Sequence, residues 1–530
     1  MAPAEGMSSD ASTLPAGDGL LDVGDSRRWG LRRSAGAVAR ARTETRLAAV
    51  ALLLVVAGSL LLVVVAANRP SLLSPTTHSN FFPHWMAGPL GGLWPGLTSG
   101  STALRYIFTG AVLAMYGAYV VALRYAGRLQ ARWVIAAILA VHAIFLLAPP
   151  LALTDIFNYI NYGRMEIVHH LNPYTTIPIS EPHSDPSFAL SNWHQLLSPY
   201  GPLFTLLTFA VVPLGVAASF WALKCILALA SLATIFLVWK CARLLGRDPV
   251  AAIVLVGLNP IVLVWGLGGD HNDFLTMFLI VLAFYLLLRV RAAATAGSGS
   301  AQPPEAHPIS RLARLRGLLL PFSPAEMVAG AAFVTAAGIK ASAGILIPVV
   351  LAGLLRTPRR LVQVVLGMAF AAVAIGLVSL IAFGLHIPDL NTQSRLVTNE
   401  SVPNLVGLLI GVGGESESIR VVMSAVLGAS VLACAVLAWR RRDSLGASGW
   451  ASVALLVTLS WVLPWYVLWV LPLAALAGSR RLRNVALVLG VYLIVAWAPA
   501  STLLWSAIGF HPEKTPLGRL HQRYVKELLN

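Results

Sequence analysis

Polar side chains that could carry chemistry appear directly after an apolar segment that ends at residue 153. Asp155 follows this segment, and Asn158 and Tyr162 come at helical spacing from it, which predicts three polar side chains on one helix face. A charged group in the middle of a bilayer costs about 2.5–3.5 kcal/mol, so such a carboxylate is expected to have a function. We interpret Asp155 as a catalytic group. The alternative is that it caps the helix that begins there.

A second polar cluster falls in a short turn between two apolar segments, at residues 268–273. Its sequence, GGDHND, places Asp270, His271, Asn272 and Asp273 beside glycine backbone. This set could hold a phosphate, a cation or a sugar hydroxyl, but it is also good turn composition with an Asn or Asp available as a helix cap. We favour a function because the four polar groups are expected on the same side of the membrane as Asp155.

The segment that follows Asp155 combines aromatic rings with hydrogen-bonding groups, which suits the binding of a sugar ring. Its residues of this kind are Tyr159, Arg164, His169, His170, Asn172, Tyr174, Trp193, His194 and Tyr200. For any one of them an interfacial aromatic belt with turn prolines is the simpler interpretation. Adjacent residues on a helix point in different directions, so His169 and His170 do not indicate a metal site. We predict no metal and no cofactor.

The amino-acid composition indicates the class of protein that positions these groups. Of the 530 residues, 57% are hydrophobic and only 11% are charged, whereas a soluble globular protein has about 25% charged residues. This excludes a cytosolic enzyme, a nucleic-acid binder and a disordered chain, and it predicts an integral membrane protein. The net charge of +16 is then explained by the arginines that set membrane topology.

Apolar segments predict an all-α, polytopic fold with about thirteen transmembrane helices. With the amino terminus inside, 27 of the 38 Lys and Arg residues lie in cytoplasmic segments, as the positive-inside rule requires. Omitting one span would reverse the side of every later basic cluster. The predicted spans are 47–67, 106–123, 133–154, 217–239, 250–269, 274–288, 325–339, 342–355, 361–384, 421–439, 447–462, 465–477 and 485–498.

The segments outside these spans define the domain organisation. Residues 1–45 are predicted to be a disordered, basic cytoplasmic tail, 46–500 the multi-span domain with an outer catalytic loop at 154–215, and 501–530 an outer carboxyl-terminal segment. Apolar stretches at 202–214 and 402–412 are too short to span and are predicted to be interfacial or re-entrant.

Ser323 and Glu326 are predicted to form a capping box that begins a helix, with Pro324 at its first position. Three cysteines in apolar segments indicate no disulfide framework.

Basic residues on the predicted outer side are few, so each is a candidate for binding a lipid phosphate. Lys340 joins two unusually short apolar segments, Arg395 lies in a polar loop, and Lys224 falls within a span. We interpret Lys340 as the better candidate and Lys224 as a residue that snorkels to the interface. The aromatic run that contains Trp465 and Tyr466 either lines a lipid groove or anchors the membrane interface.

Nucleotide-binding motifs in a supporting context are missing, including GxxxxGK[ST] and a GxGxxG after a strand. An enzyme that works on the outer face has no access to cytoplasmic nucleotide sugars. A glycosyl donor for this site is therefore expected to be carried by a lipid.

Several of these motifs together resemble the actinobacterial alpha-(1→6)-mannopyranosyltransferases of the GT-C superfamily. The resemblance covers roughly residues 100–500. It rests on Asp155 after a helix that ends in Pro-Pro, and on the sequences YGR at 162–164, NPY at 172–174, SPYGP at 198–202, GDHND at 269–273 and PWYVLW at 464–469. The chain departs from the simplest GT-C pattern in having two spans before the helix that leads to the catalytic loop, and no large carboxyl-terminal soluble domain is expected.

The resemblance implies an inverting transfer of mannose from polyprenyl-phosphate mannose to a mannan or lipomannan-type acceptor, on the outer face of the plasma membrane. It implies Asp155 as general base and His271, Lys340 and Arg395 as ligands of the donor phosphate. The substrate-binding candidates are Asn158, Tyr159, Tyr162, Arg164, Asn172, Tyr174, Tyr200, Asp270, Asn272, Asp273, Trp465 and Tyr466. Two alternatives stay open: a secondary transporter or flippase of lipid-linked sugars, and transfer to protein or to another wall glycan.

Overall fold

A computed structural model of the protein describes residues 23–68, 83–94, 101–151, 155–297 and 323–529. Regular secondary structure in these ranges is helical throughout, which confirms the predicted all-α membrane fold. The α-helices are α1 (Val23–Asn68), α2 (His84–Ala87), α3 (Ser101–Arg124), α4 (Ala131–Leu146), α5 (Asp155–His169), α6 (Pro202–Val211), α7 (Val216–Leu244), α8 (Pro249–Gly257), α9 (Asp273–Gly297), α10 (Pro324–Ile339), α11 (Leu346–Leu354), α12 (Pro358–Phe383), α13 (Leu390–Ser394), α14 (Val402–Leu409), α15 (Glu417–Arg441), α16 (Ser444–Thr458), α17 (Leu471–Ala477), α18 (Arg480–Trp497), α19 (Ser501–Ala507) and α20 (Pro516–Leu529).

Among the described residues, six helices are long and apolar enough to cross a bilayer alone: α3, α7, α9, α12, α15 and the part of α1 from Arg40 to Asn68. A seventh is possible if α18 and α19, which meet at 77°, form one bent span. Other predicted spans correspond to shorter apolar helices, among them α4, α10 and α16. The fold class is therefore confirmed, while the number of thirteen spans stays a prediction.

Three interruptions of the helices mark the interior of the molecule. α8 is followed by a π-helix at Val262–Leu267, α10 and α11 are joined by a 3₁₀ turn at Ala341–Ile345, and α17 is preceded by a 3₁₀ turn at Pro464–Trp469. At membrane depth, irregular backbone is tolerated only where protein buries it or where it lines a cavity. The residues of the first and third interruptions are buried. The site described below is lined by residues of the second and third interruptions and of the turn that follows the first.

Side-chain caps determine where many of the helices begin. In six helices the side chain before the first turn accepts a hydrogen bond from a backbone amide of that turn. These caps are Asp248 for α8, Asp389 for α13, Ser401 for α14, Ser416 for α15, Asp443 for α16 and Ser479 for α18.

The predicted capping box of α10 is only half right. Ser323 precedes the helix and Pro324 begins it, but the Ser323 side chain makes no cap bond. Glu326 is buried and accepts a hydrogen bond from Arg360 Nε of α12 at 2.5 Å. The bond to Arg360 joins two ionised groups, whereas a cap bond would join the carboxylate to a neutral amide, so the carboxylate turns away from its own helix end.

The amino-terminal end of the chain differs from the prediction. Helix α1 begins at Val23, so residues 23–45 are helical where we predicted disorder. This part of the chain is rich in Ala and Arg, which are strong helix formers. Residues 1–22 lie outside the described residues, as does most of the Gly/Ser/Pro-rich linker before α10.

The carboxyl-terminal helix α20 lies at the same end of the molecule as Asp155. The backbone amide of Gln195 donates to the carbonyl of Leu528 at 3.0 Å, and Leu196, Leu396 and Leu528 form a small buried cluster. The amphipathic α20 thus buries its apolar side against the segment that follows α5.

Candidate active site

A cavity of about 680 Å³ opens between α5, the 268–273 turn, the two 3₁₀ turns, α15 and α20. The lining brings together groups that are far apart in sequence, as the polar clusters predicted. Ten of the predicted site residues line it: Asp155, Tyr159, Tyr162, Tyr200, His271, Asn272, Asp273, Lys340, Trp465 and Tyr466.

Asp155 begins α5 and faces the second polar cluster directly. Its Oδ2 lies 3.2 Å from Nδ1 of His271, and the carboxylate is 16% exposed. The His271 ring stacks on Trp465 with a centroid distance of 3.4 Å and an interplanar angle of 8°. His271 Nε2 is buried and has no hydrogen-bond partner in the part of the chain that the structure describes. The imidazole is therefore held by Trp465 on one face and oriented toward Asp155 along one edge.

The helix face that carries Asp155 into the cavity agrees with the prediction at Tyr162 but not at Asn158. Tyr159 and Tyr162 share the cavity wall with Asp155, whereas Asn158 turns away and is buried. Asn158 Oδ1 accepts hydrogen bonds from the backbone amides of residues 192 and 193 at 3.0 and 3.3 Å. The placement of Asn158 beside Asp155 is thus corrected. Since buried amides require acceptors, Asn158 holds the following segment against α5.

Lys340 lies at the break between α10 and α11 and is bonded on several sides. Its Nζ donates to both carboxylate oxygens of Asp273 at 2.9 Å, and it lies 4.8 and 5.2 Å from the ring centroids of Tyr466 and Trp469. Trp469 Nε1 donates to the same Asp273 at 2.5 Å. Aromatic faces and a carboxylate together fix the ammonium at the cavity wall.

Asp270 stabilises the 268–273 turn and does not line the cavity. Lys224 Nζ donates to both of its oxygens at 3.0 Å, and both residues are buried. The interpretation of Lys224 as a snorkelling residue is wrong, because its charge is compensated inside the protein. Asp270 also adopts φ = 57°, a conformation rare for a residue with a Cβ. The ion pair holds this turn in the shape that presents His271 to Asp155.

A network of polar side chains fixes the segment after α5. Asp185 accepts hydrogen bonds from Arg164 and from His169, the shortest of each at 2.8 Å, and from the Ser187 amide and hydroxyl at 2.9 and 2.7 Å. Burial acts to raise the pKa of Asp185, but the bonds from Arg164, Ser187 and His169 hold that pKa well below its usual range. Arg164 is therefore a structural cation in this geometry.

Three further predicted residues do not line the cavity. Asn172 Nδ2 donates to the carbonyl of Phe383 at 3.0 Å, and the Tyr174 hydroxyl donates to the carbonyl of Tyr200 at 2.7 Å. Arg395 is exposed and lies outside the cavity lining.

Several lining residues were not among the predicted substrate-binding or phosphate-binding candidates, although Trp193 belongs to the aromatic segment described after Asp155. They are Asn192, Trp193, Gln393, Arg420, Trp461 and Trp469, among others. Trp461 and Trp469 lie in the aromatic run that the sequence analysis singled out. Their spacing in the sequence does not predict which of the rings face the cavity. Arg420 has no distinguishing local signal, since it is one basic residue at the start of an apolar helix.

Comparison with known proteins adds a decisive observation. A family model described as alpha-(1→6)-mannopyranosyltransferase, N-terminal domain, matches residues 50–356, and one described as MptB C-terminal domain matches residues 399–510. The chain belongs to the alpha-(1→6)-mannopyranosyltransferase family. The resemblance inferred from the motifs is thereby confirmed. Both matched regions contribute to the cavity, with Asp155, His271 and Lys340 from the first and Trp465 from the second.

Individual members of the family are distant from this chain. An alpha-(1→6)-mannopyranosyltransferase of Mycobacterium tuberculosis is 28% identical over 408 residues, or 67% of each chain. Alpha-(1→6)-mannopyranosyltransferase A of the same organism is 27% identical over 391 residues, covering 67% of this chain and 68% of its own. A probable alpha-(1→6)-mannopyranosyltransferase of Mycolicibacterium smegmatis is 27% identical over 390 residues, or 66% of each. No solved structure matches the chain.

The arrangement in this mannosyltransferase offers acid–base and electrostatic chemistry. Within the described residues, no group of three or more His, Cys, Asp or Glu side chains is placed to hold a metal ion. What the cavity does offer is a carboxylate beside an imidazole, a fixed ammonium and several aromatic faces.

Proposed function

We propose that the protein moves mannose from polyprenyl-phosphate mannose to a hydroxyl of a mannan or lipomannan-type glycolipid and forms an alpha-(1→6) linkage. The observation that carries the proposal is the Asp155 carboxylate at the wall of a 680 Å³ cavity, in a chain of this family. A secondary transporter is not favoured, since the family model and the relatives that match the chain are mannosyltransferases.

Asp155 acts as the general base of the transfer. One of its oxygens lies beside His271, which leaves the other for the acceptor hydroxyl. As the hydroxyl oxygen attacks C1 of mannose, its proton passes to Asp155 and the bond from C1 to the phosphate oxygen breaks. The bonding electrons leave with polyprenyl phosphate, so no oxidant, reductant or further reactant is needed. Attack opposite a beta-linked phosphate gives the alpha product.

The departing phosphate is stabilised by positive charge and by N–H donors rather than by a proton. Lys340 is a cation of the predicted set that lines the cavity, and its attraction for an anion is strengthened at low dielectric. His271 lines the same wall and is the second predicted ligand of the phosphate. Preorganised donors of this kind supply a large share of transition-state stabilisation.

Aromatic side chains provide the surface on which sugar rings bind. Tyr159 and Tyr200 meet edge to face with a centroid distance of 4.8 Å, and Tyr466 stacks on Trp469 at 4.3 Å. Such rings present flat apolar faces beside polar edges. They suit a pyranose, which also has apolar faces and hydroxyl edges.

We place this site on the outer face of the cell membrane, where only a lipid-linked sugar can serve as donor. The distribution of basic residues supports that orientation. Ser184→Cys and Ser298→Cys, each in a cysteine-free background, should react with an impermeant thiol reagent from opposite sides of the membrane. Ser184 is exposed, and Ser298 lies outside the described residues. Labelling of both in intact cells would contradict the orientation and the span model.

The transfer itself is tested with purified protein, polyprenyl-phosphate mannose and a soluble oligomannoside. We expect release of polyprenyl phosphate and an acceptor longer by one mannose, with the linkage assigned by NMR. Nucleotide-activated mannose should be inactive as a donor. Turnover with the nucleotide donor, or no product from the lipid donor, would contradict the proposal.

A further inference from the structure

A second cation, Arg420, lines the cavity from a different element than Lys340. It lies in the first turn of α15, and its side chain is 27% exposed. None of the roles discussed above uses this residue. An arginine at a membrane-level cavity is costly unless something compensates its charge.

Arg420 is anchored along only one edge of its guanidinium. Its Nε donates to Glu415 Oε1 at 2.8 Å, and the Glu415 side chain is fully buried. Ser460 Oγ donates to the same oxygen at 2.7 Å, and Asn404 Oδ1 accepts from the Glu415 amide at 2.9 Å. The carboxylate that holds Arg420 is therefore fixed by two other segments of the chain.

The opposite edge of the guanidinium is open to a ligand. Neither Nη group has a hydrogen-bond partner in the part of the chain that the structure describes. Arginine offers five N–H donors in a rigid plane, and its terminal pair matches a phosphate bidentately. Lys340 differs from Arg420, because its ammonium group already donates hydrogen bonds to both carboxylate oxygens of Asp273.

An apolar path leads along the helix from Arg420. Met423, Ser424 and Leu427 line the same cavity, at positions three, four and seven residues further along α15, and Leu455 of α16 lines it as well. Residues with this spacing share one face of a helix. The wall thus combines a guanidinium at one end with a largely apolar strip, which matches a phosphate ester that carries a hydrocarbon chain.

We propose that Arg420 is the binding site for the phosphate group of a lipid phosphate ester, with the lipid chain along Met423 and Leu427. The inference rests on the proposed function and adds to it a ligand site that the predicted phosphate ligands do not include. Two sources have this chemistry: the polyprenyl phosphate of the donor and the phosphorylated headgroup of an anionic glycolipid acceptor.

The test separates ligand binding from the structural role of the ion pair. Arg420→Gln alone leaves the buried Glu415 without its cation and is expected to destabilise the protein. The double variant Glu415→Gln/Arg420→Gln removes both charges and should retain the wild-type Tm. Arg523→Gln serves as control, because Arg523 is exposed on α20 and does not line the cavity.

Binding of polyprenyl phosphate is measured in detergent by the change in tryptophan fluorescence. If the donor supplies the phosphate, the double variant should bind polyprenyl phosphate about 10- to 100-fold more weakly, as expected for lost charge-assisted hydrogen bonds. Its KM for the lipid donor should rise to a similar extent with a neutral oligomannoside. If the acceptor supplies it, these values stay unchanged and the KM for a phosphorylated glycolipid acceptor rises instead.

The proposal is overturned if the double variant matches the wild type in polyprenyl phosphate affinity and in KM for both substrates. Arg420 would then be only the counter-ion of Glu415. Failure of the proposed function has a different signature, since the wild type would transfer no mannose although its affinity for polyprenyl phosphate could still be measured.

Discussion

Replacing Asp155 by Asn is the sharpest test of the proposed chemistry. The substitution preserves size, and the Asn side-chain oxygen can still face Nδ1 of His271, which lies 3.2 Å from Asp155 Oδ2. The other position then carries an amide nitrogen, which cannot accept a proton from the acceptor hydroxyl. The geometry is kept and the base is lost.

The size of the expected effect follows from the same geometry. General base catalysis contributes about 10²- to 10⁴-fold in rate, so kcat should fall by that factor. Donor binding should change little, because the cation of the predicted phosphate site, Lys340, is bonded to Asp273 and not to Asp155. Stability should fall by at most about 2 kcal/mol, the upper value for a charge in the first turn of a partly buried helix, since most of α5 is buried and Asp155 is 16% exposed.

The assay follows release of polyprenyl phosphate under saturating donor, in parallel with donor binding and Tm. Asp389→Asn is the matched control, because Asp389 is a helix cap near the cavity that accepts from the amides of Asn391 and Thr392 at 3.0 and 3.1 Å. Asn and Asp are comparable as caps, so Asp389→Asn should retain wild-type activity.

A wild-type transfer rate in Asp155→Asn would refute the assignment of the base. Asp155 would then be no more than a helix cap, and the next candidate for the base would be Asp273, the other carboxylate in the cavity lining. Loss of donor binding together with activity would also contradict the reasoning, because it would make Asp155 part of the donor site.

Three further predictions concern the charges around the cavity. Lys340→Ala should lower kcat or raise the KM for the lipid donor at normal expression, and Asp273→Asn/Lys340→Ala should show the same loss without an unpaired carboxylate; wild-type kinetics in both would leave Lys340 a structural residue. Lys224→Met should lower the Tm strongly, since breaking a buried pair costs about 3–5 kcal/mol, whereas Asp270→Asn/Lys224→Met should recover most of the loss. An equally unstable double variant would contradict this. Burial raises the pKa of Glu181 from 4.5 to about 7, so the folded protein keeps a proton that the unfolded chain has lost, and stability should fall as pH rises through that interval. Glu181→Gln should flatten this slope of Tm against pH, and an unchanged slope would show that other groups cause it.

The class of the protein follows from composition alone, and so does the location of its chemistry along the chain. Because ionisable groups are costly inside a bilayer, the few that interrupt apolar segments are informative. Asp155, the 268–273 cluster and Lys340 were recognisable on this basis, and all three contribute to one cavity.

Which side chain of α5 faces that cavity was decided only by the tertiary structure. A period of 3.6 residues allows either Asn158 or Tyr159 to lie beside Asp155. The amides of residues 192 and 193 require an acceptor, and Asn158 supplies it. Tyr159 therefore takes the cavity side.

Partnerships between charges were likewise invisible in the sequence. Lys224 has the sequence context of a snorkelling residue, and Arg420 that of an ordinary basic residue at a helix start. Their partners, Asp270 and Glu415, come from other segments and depend on how the helices are rotated about their axes. Hydropathy determines that a segment enters the membrane, but the packing between helices decides which of its faces meets a counter-charge, and that packing depends on the whole chain at once.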